Sequence, residues 1–112
     1  MNKRKRKKYS KQHGTYVNKR ELWNLDMTIT KFVLPRLKLF REKVDSYPIR
    51  FETEDEWYDI LDKMILAFEH LNNDDFRVDT SDPNWREKED RYNAEIKEGL
   101  NLFAEYYRGL WW

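Results

Sequence analysis

In the segment "TEDEWYDILDKMILAFEHL" the large apolar residues recur at steps of three and four: Trp57, Ile60, Leu61, Met64, Phe68 and Leu71. That spacing gathers them on one side of an α-helix, whereas on a strand they would scatter over both faces. The start of the helix is marked as well. Thr53 and Glu56 stand at capping-box spacing, and Glu54, Asp55 and Glu56 bring negative charge to the positive helix end. A helix from Thr53 to near Leu71 is therefore expected, and the rest of the chain must cover its stripe.

Two neighbours can do so. In "NLDMTITKFVLPRLKLFREKV", Leu25, Ile29, Phe32, Val33, Leu37, Phe40 and Val44 follow helical spacing, with Asn24 and Asp26 as candidate N-caps. Pro35 lies inside this helix, removes one backbone donor and crowds the preceding turn, so a kink or a break into two helices is expected there. Pro48 ends it, and Ile49 and Phe51 read as a short extended segment. An acidic loop, "NNDDFRVDTSDP", precedes the last helix. Ser81 or Asp82 caps that helix, Pro83 occupies its first turn, and it runs to near Leu110. Its stripe is Trp85, Tyr92, Ile96, Leu100, Phe103, Tyr107, Leu110 and Trp111.

At 1.5 Å per residue the last helix would be about 40 Å long and the middle one about 27 Å. Packed antiparallel, the longer helix overhangs, and Phe103, Tyr107, Leu110 and Trp111 need another cover. Either the proline-containing helix supplies it, or a second copy or another protein does. The fold class is all-α: a compact bundle of three main helices, the first kinked or split at Pro35, behind a disordered basic arm. Residues 1–20 form the arm and residues 21–112 a single helical domain.

Charge is divided along the same boundary. Residues 1–20 hold nine Lys and Arg and no acid, whereas residues 21–112 hold 13 basic residues against all 21 acids, a formal balance of −8. The run Lys3, Arg4, Lys5, Arg6, Lys7 and Lys8 is suited to neutralising phosphates, with Tyr9 and Tyr16 near enough in sequence to stack on bases. A solubilising tail, or an arm folded back on the acidic body, reads equally from these residues. No helix-turn-helix, zinc-finger or RNA-recognition motif accompanies the run.

Catalytic sets are missing from the residue inventory. Without cysteine there is no disulfide, zinc thiolate, iron–sulfur cluster or cysteine nucleophile. "NLDMT" is one residue from the DxDxT motif of aspartyl-nucleophile phosphatases, but Asn24 stands at the nucleophile position and the motif must end a strand of a much larger α/β domain. Asp55, Glu56, Asp59 and Asp62 share helical spacing and read as a solvated acidic face rather than a metal site, since no Glu-x-x-His pair joins them. His13 and His70 lie far apart, and His70 suits a helix C-terminus. Ser10, Ser46 and Ser81 lack a nucleophile motif, and Gly14, Gly99 and Gly109 form no phosphate loop. No catalytic residue, metal ligand or cofactor is expected. No apolar run nears the roughly 20 residues that cross a bilayer and no secretory core follows the basic start, so a cytoplasmic setting without membrane contact is expected.

Binding chemistry is better represented. Lys31, Arg36, Lys38, Arg41 and Lys43 lie largely opposite the apolar stripe of their helix. Arg36 and Arg108 each neighbour the aromatic residues expected to meet between the first and last helices, and an arginine between rings suits a planar, phosphate-bearing ligand. Tyr106, Arg108 and Trp112 fall off the last helix's stripe while Trp111 continues it. Arg36, Tyr106, Arg108, Trp111 and Trp112 are the candidate binding residues.

"LDMTITKFVLPRLKLFRE", "EDEWYDILDKMILAFE" and "EGLNLFAEYYRGLWW" together resemble a group of short helical proteins encoded by bacteriophages and prophages, with the terminal "LWW" the most specific element. The resemblance spans most of residues 21–112 and leaves out the arm. It implies a compact helical domain in the host cytoplasm, and it carries no catalytic residue. Small phage proteins of this kind act by binding a host enzyme, a defence component, nucleic acid or a signalling nucleotide. Three readings stay open: a binder of a host protein or defence complex, a nucleic-acid or nucleotide binder working through the arm, and a virion or assembly component.

Overall fold

The computed structural model describes residues 3–48, 50–73 and 79–111 and, within them, every side chain except those of Tyr9, Ser10, Gln12 and His13. They form five α-helices: α1 (Lys3–His13), α2 (Lys19–Trp23), α3 (Leu25–Lys43), α4 (Glu54–Asn72) and α5 (Trp85–Glu105). A 3₁₀ turn, Tyr107–Gly109, follows. No strand occurs among the described residues, in keeping with the all-helical periodicity. Ile49 and most of the acidic loop, residues 74–78, lie outside them. Phe51 is not extended: its N–H donates to the Pro48 carbonyl at 3.0 Å, closing a turn.

Helix α4 is the axis of the fold. Thr53 Oγ1 accepts from the Glu56 N–H at 3.4 Å, and the Glu56 carboxylate accepts from the N–H of Glu52 at 3.3 Å, so the reciprocal bond falls one residue earlier than in a standard capping box. Trp57, Leu61, Met64 and Phe68 are buried, and Ala67 joins them. Antiparallel to α4 runs α5, tied by His70 Nε2 to Glu95 at 2.6 Å, by Lys63 to Glu98 at 3.1 Å, and by the Tyr92 hydroxyl donating to the His70 carbonyl at 2.7 Å. The two backbones come unusually close at Gly99, which is buried against Ala67 and the Lys63 carbonyl.

Also antiparallel to α4 is α3, through Arg41 to Asp62 at 2.9 Å, Lys38 to Glu69 at 2.9 Å, and the Tyr58 hydroxyl donating to the Val44 carbonyl at 3.3 Å. The Asp62 hydrogen bond holds the Arg41 guanidinium above its ordinary pKa. Pro35 does not split α3, which is continuous from Leu25 to Lys43. Pro35 removes only the ladder bond to the Lys31 carbonyl. One residue on, the Arg36 guanidinium donates to the Phe32 carbonyl at 2.9 Å.

The expected apolar stripe of α3 mixes two faces. Thr30, Leu34, Leu37 and Val44 are buried, with Val33 and Phe40 half-buried beside them. Leu25, Ile29 and Phe32, read as core, are exposed. The register explains this. Val44 meets Tyr58 and Lys38 meets Glu69, so α4 reaches its end at Asn72 opposite the middle of α3. The first turns of α3 then have no helix beside them except short α2, joined through Thr28 Oγ1 donating to the Glu21 carbonyl at 2.9 Å.

At α5 the ends differ from expectation. Pro83 precedes the helix rather than filling its first turn, and the N-cap residue is Asn84, without a side-chain bond. Asp82 acts in the turn before: its carboxylate accepts from the Asn84 N–H at 2.9 Å and from the Lys88 ammonium, which holds the carboxyl below the usual carboxylate range. At the other end α5 stops at Glu105, and the chain folds over Trp57 as the 3₁₀ turn, with Gly109 against Pro48 and the Trp57 ring. Tyr107, Leu110 and Trp111 therefore do not extend the helical stripe. The last residues close on the start of α4 instead of overhanging it.

Two further expectations change. The arm is helical over Lys3–His13 rather than without structure, as fits the helix propensity of Lys and Arg, and Gly14 at φ 81° ends it. Lys19 and Arg20, read as the end of the arm, open α2, where the Glu21 carboxylate accepts from the Asn18 N–H at 2.9 Å. The compact bundle is not confirmed either: the Cα radius of gyration, with α1 included, is 18.2 Å, against about 13 Å for a compact chain of this length. Helix α1 packs on none of the other described helices, and α3 and α5 each pack on α4 but not on each other.

Candidate functional site

Because α3 and α5 do not meet, an apolar groove of about 420 Å³ lies open between them. Its α3 bank is Phe32, Val33, Arg36, Leu37 and Phe40, and the far bank is Phe103, Tyr107 and Leu110. Phe103 is set edge-on to Phe68 at 5.1 Å, and Tyr107 edge-on to Phe103 at 5.7 Å, so the far bank is continuous with the core. The Arg36 guanidinium covers the Phe32 ring at 3.8 Å while bonded to its own helix. Along α3, Leu25, Ile29, Phe32, Arg36 and Leu39 follow one another at alternating steps of four and three, all exposed, and Phe32 and Arg36 of this row also line the groove. That is the spacing of a helix–helix seam. Leu22 and Trp23 of α2 add to it, and Trp23 is 87% exposed.

A second cleft, of about 490 Å³, lies where the α3–α4 loop meets the chain's end. Ser46, Tyr47, Pro48 and Arg50 face Glu105, Tyr106, Arg108, Gly109 and Trp111 across it. The Arg50 guanidinium lies over the Tyr106 ring at 4.4 Å. Tyr106 itself belongs to an aromatic cluster with Phe51 at 5.4 Å and Trp57 at 6.0 Å. It is thus wall rather than free surface. Trp111 is 71% exposed at the rim.

The sequence-read residues therefore divide. Tyr106, Arg108 and Trp111 share the second cleft, Arg36 lies in the first groove, and Trp112 is outside the described residues. The aromatic end is divided too: Phe103, Tyr107 and Leu110 line a groove with α3, whereas Trp111 lines the other cleft, which α3 does not line. Arg50 and Tyr47 were missed. Their signal is the juxtaposition of Tyr, Pro and Arg in "DSYPIRF", which read only as a helix stop.

Lys3, Arg4, Lys5, Arg6, Lys7 and Lys8 are exposed on α1, and Arg6 lies over the Tyr16 ring at 5.1 Å. His70 sits at the helix end as expected, against the Tyr92 ring at 4.4 Å and bonded to Glu95. Among the described residues no three His, Asp or Glu side chains gather closely enough to hold a metal ion, and no helix is long and apolar enough to cross a membrane.

The described residues form an all-helical body with open, aromatic-lined recesses, these two among them, and a basic helix that packs on none of the others. No family model, curated protein or solved structure matches the chain.

Proposed function

We propose that this chain is a binding protein without catalytic activity that takes an amphipathic helix of a partner protein into the α3–α5 groove. The observation that carries this reading is the uncovered seam of α3. Leu25, Ile29, Phe32 and Leu39 stand exposed at seam spacing on α3, and Phe32 among them also lines the groove, whose Val33, Phe40, Phe103 and Leu110 pack on the core. Exposed apolar surface of this continuity marks an interface, and a helix laid in a groove satisfies 3–4 spacing on both sides. The resemblance to phage-encoded proteins supports a host protein or defence component as the partner.

Phe32→Asp and Ile29→Asp test it. Both positions are exposed, so helical content and melting should hardly move. Partners captured from host lysate by the parent chain, then purified and titrated, should bind each variant at least about tenfold more weakly. Equal affinity for parent and variants would place the interface elsewhere. Light scattering on the same samples separates a second copy of this chain from a foreign partner.

A second reading rests on α1, which carries seven Lys and Arg, no acid, and no packing on the other described helices. Like charges one turn apart oppose this helix when it is alone, and an anionic polymer relieves them. Deletion of residues 2–20 should abolish binding to mixed DNA and RNA. In the full chain log K should fall with log salt, at a slope of about −0.7 to −0.9 per phosphate contact. Absence of nucleic-acid binding by the full chain at low salt removes this reading.

A further inference from the structure

We propose that the cleft between the α3–α4 loop and the chain's end is a binding site for a mononucleotide, independent of the α3–α5 groove. Its volume of about 490 Å³ is that of a small-molecule site, commonly about 300–1,000 Å³. The lining combines two kinds of group that a nucleotide requires and that the chain brings together from distant positions: arginines for the phosphate and exposed rings for the base.

The arginines of the helical body are in different states. Arg41 is spent on Asp62, and Arg36 on its own helix's carbonyl. Arg50 and Arg108 have no carboxylate partner among the described residues, and they line the same cleft. Arg50 is already ordered by stacking on Tyr106, whose own ring is fixed by Phe51 and Trp57. A guanidinium resting over a ring makes no hydrogen bond to it, so its N–H groups stay open to two oxygens of a phosphate. Holding it before the ligand arrives lowers the ordering cost of binding.

Tyr47 and Trp111 supply the stacking surface. Both line the cleft and both are exposed. A large indole left in water at a cleft mouth finds its apolar area in a base, and any base presents a face to it. Glu105 also lines the cleft and opposes an anion. Its carboxylate is an acceptor for base N–H or ribose hydroxyl donors, which sets the base toward Glu105 and the phosphate toward the arginines. With one carboxylate against two guanidinium groups, the cleft favours one phosphate on a polar, ring-bearing body over a bare anion or an uncharged ring.

Calorimetric titration of the full chain with the four common nucleoside monophosphates tests this, with the matching nucleosides and inorganic phosphate as controls. A saturable heat with at least one monophosphate is expected, with its nucleoside and inorganic phosphate each at least about tenfold weaker. Arg50→Gln and Arg108→Gln should each weaken the nucleotide by about tenfold or more. Lys97→Gln, which removes the same charge from an exposed position on α5, should not. Circular dichroism of each variant shows that the fold is kept. The proposal is overturned if no monophosphate binds at millimolar concentration. It is equally overturned if inorganic phosphate binds as well as any nucleotide, or if the Lys97 change matches the arginine changes. None of these outcomes bears on the groove, whose residues are untouched.

Discussion

A Gly99→Ala chain is expected to melt below its parent, although alanine is the better helix former. Gly99 is buried where α5 crosses α4, and a methyl group there would sit 2.5 Å from the Lys63 carbonyl oxygen and closer still to Ala67 Cβ. Neither neighbour is the far end of a flexible side chain, so relief requires the helices to part. Overpacking of this kind costs about 1–3 kcal/mol, and parting α4 from α5 over their length puts the value at or above the upper end. The gain in helix propensity returns only about 1 kcal/mol. The net loss should lower the melting temperature by several degrees, since about 1 kcal/mol moves a domain of this size by roughly 4–8 °C. Adding Ala67→Gly should recover part of the loss but not all of it, because the Lys63 backbone remains. Thermal and urea unfolding of the parent, the two single variants and the double variant checks both statements, and a Gly99→Ala chain as stable as its parent would mean that the crossing is looser than this geometry.

The contact at Gly99 shows where sequence reading stops. As a residue type Gly99 only argued against a phosphate loop. Its packing role depends on Ala67, which is remote in sequence and close only because of the register of two antiparallel helices. Helix α4 was legible because its signals are local: a cap at Thr53, acids in the first turn, and one stripe covered on its whole length. For α3 the same periodicity was read correctly as helical and wrongly as one core face. Three-to-four spacing reports which residues share a side, not how far the neighbouring helix extends, and α4 ends before it reaches Leu25 or Ile29. The end of α5 failed for a related reason. Tyr107, Leu110 and Trp111 continue the helical spacing, yet the chain leaves the helix at Glu105 and turns so that Gly109 lies against Pro48 and the Trp57 ring.

The candidate binding residues were legible as chemistry and illegible as place. Arginine beside aromatic rings was the right pattern to follow in this chain. Sequence adjacency, however, joined Arg36 with Arg108, which the fold puts in separate recesses, and it passed over Arg50, which the fold puts beside Tyr106. The arm reads as disordered because it has no apolar periodicity. Charge repulsion opposes helix formation but does not outweigh the propensity of Lys and Arg in α1.

Trp57 joins the stability of the fold to the second cleft, and its two substitutions should separate sharply. The side chain is fully buried, stacked with Phe51 at 5.8 Å and edge-on to Tyr106, with Gly109 resting on its ring. Trp57→Ala should cost about 3–5 kcal/mol, a large share of the roughly 5–15 kcal/mol that holds a domain together. The chain should then be largely unfolded at 37 °C, or survive with its last residues detached from α4. Trp57→Phe is a different experiment. The indole N–H is buried with no hydrogen-bond partner among the described residues, and such a donor costs about 1–3 kcal/mol. Phenylalanine gives up ring area but also removes that donor, so its cost should be under about half that of alanine. Urea unfolding followed by far-ultraviolet circular dichroism measures both. A phenylalanine loss of half the alanine loss or more would show that removing the orphan donor brings no gain. Tyr106 holds Arg50 only as firmly as Trp57 holds Tyr106. The phenylalanine chain, folded but with a smaller ring under Tyr106, should therefore bind nucleotide more weakly than its stability loss alone would suggest, which makes it the most sensitive probe of whether that cleft depends on the aromatic cluster beneath it.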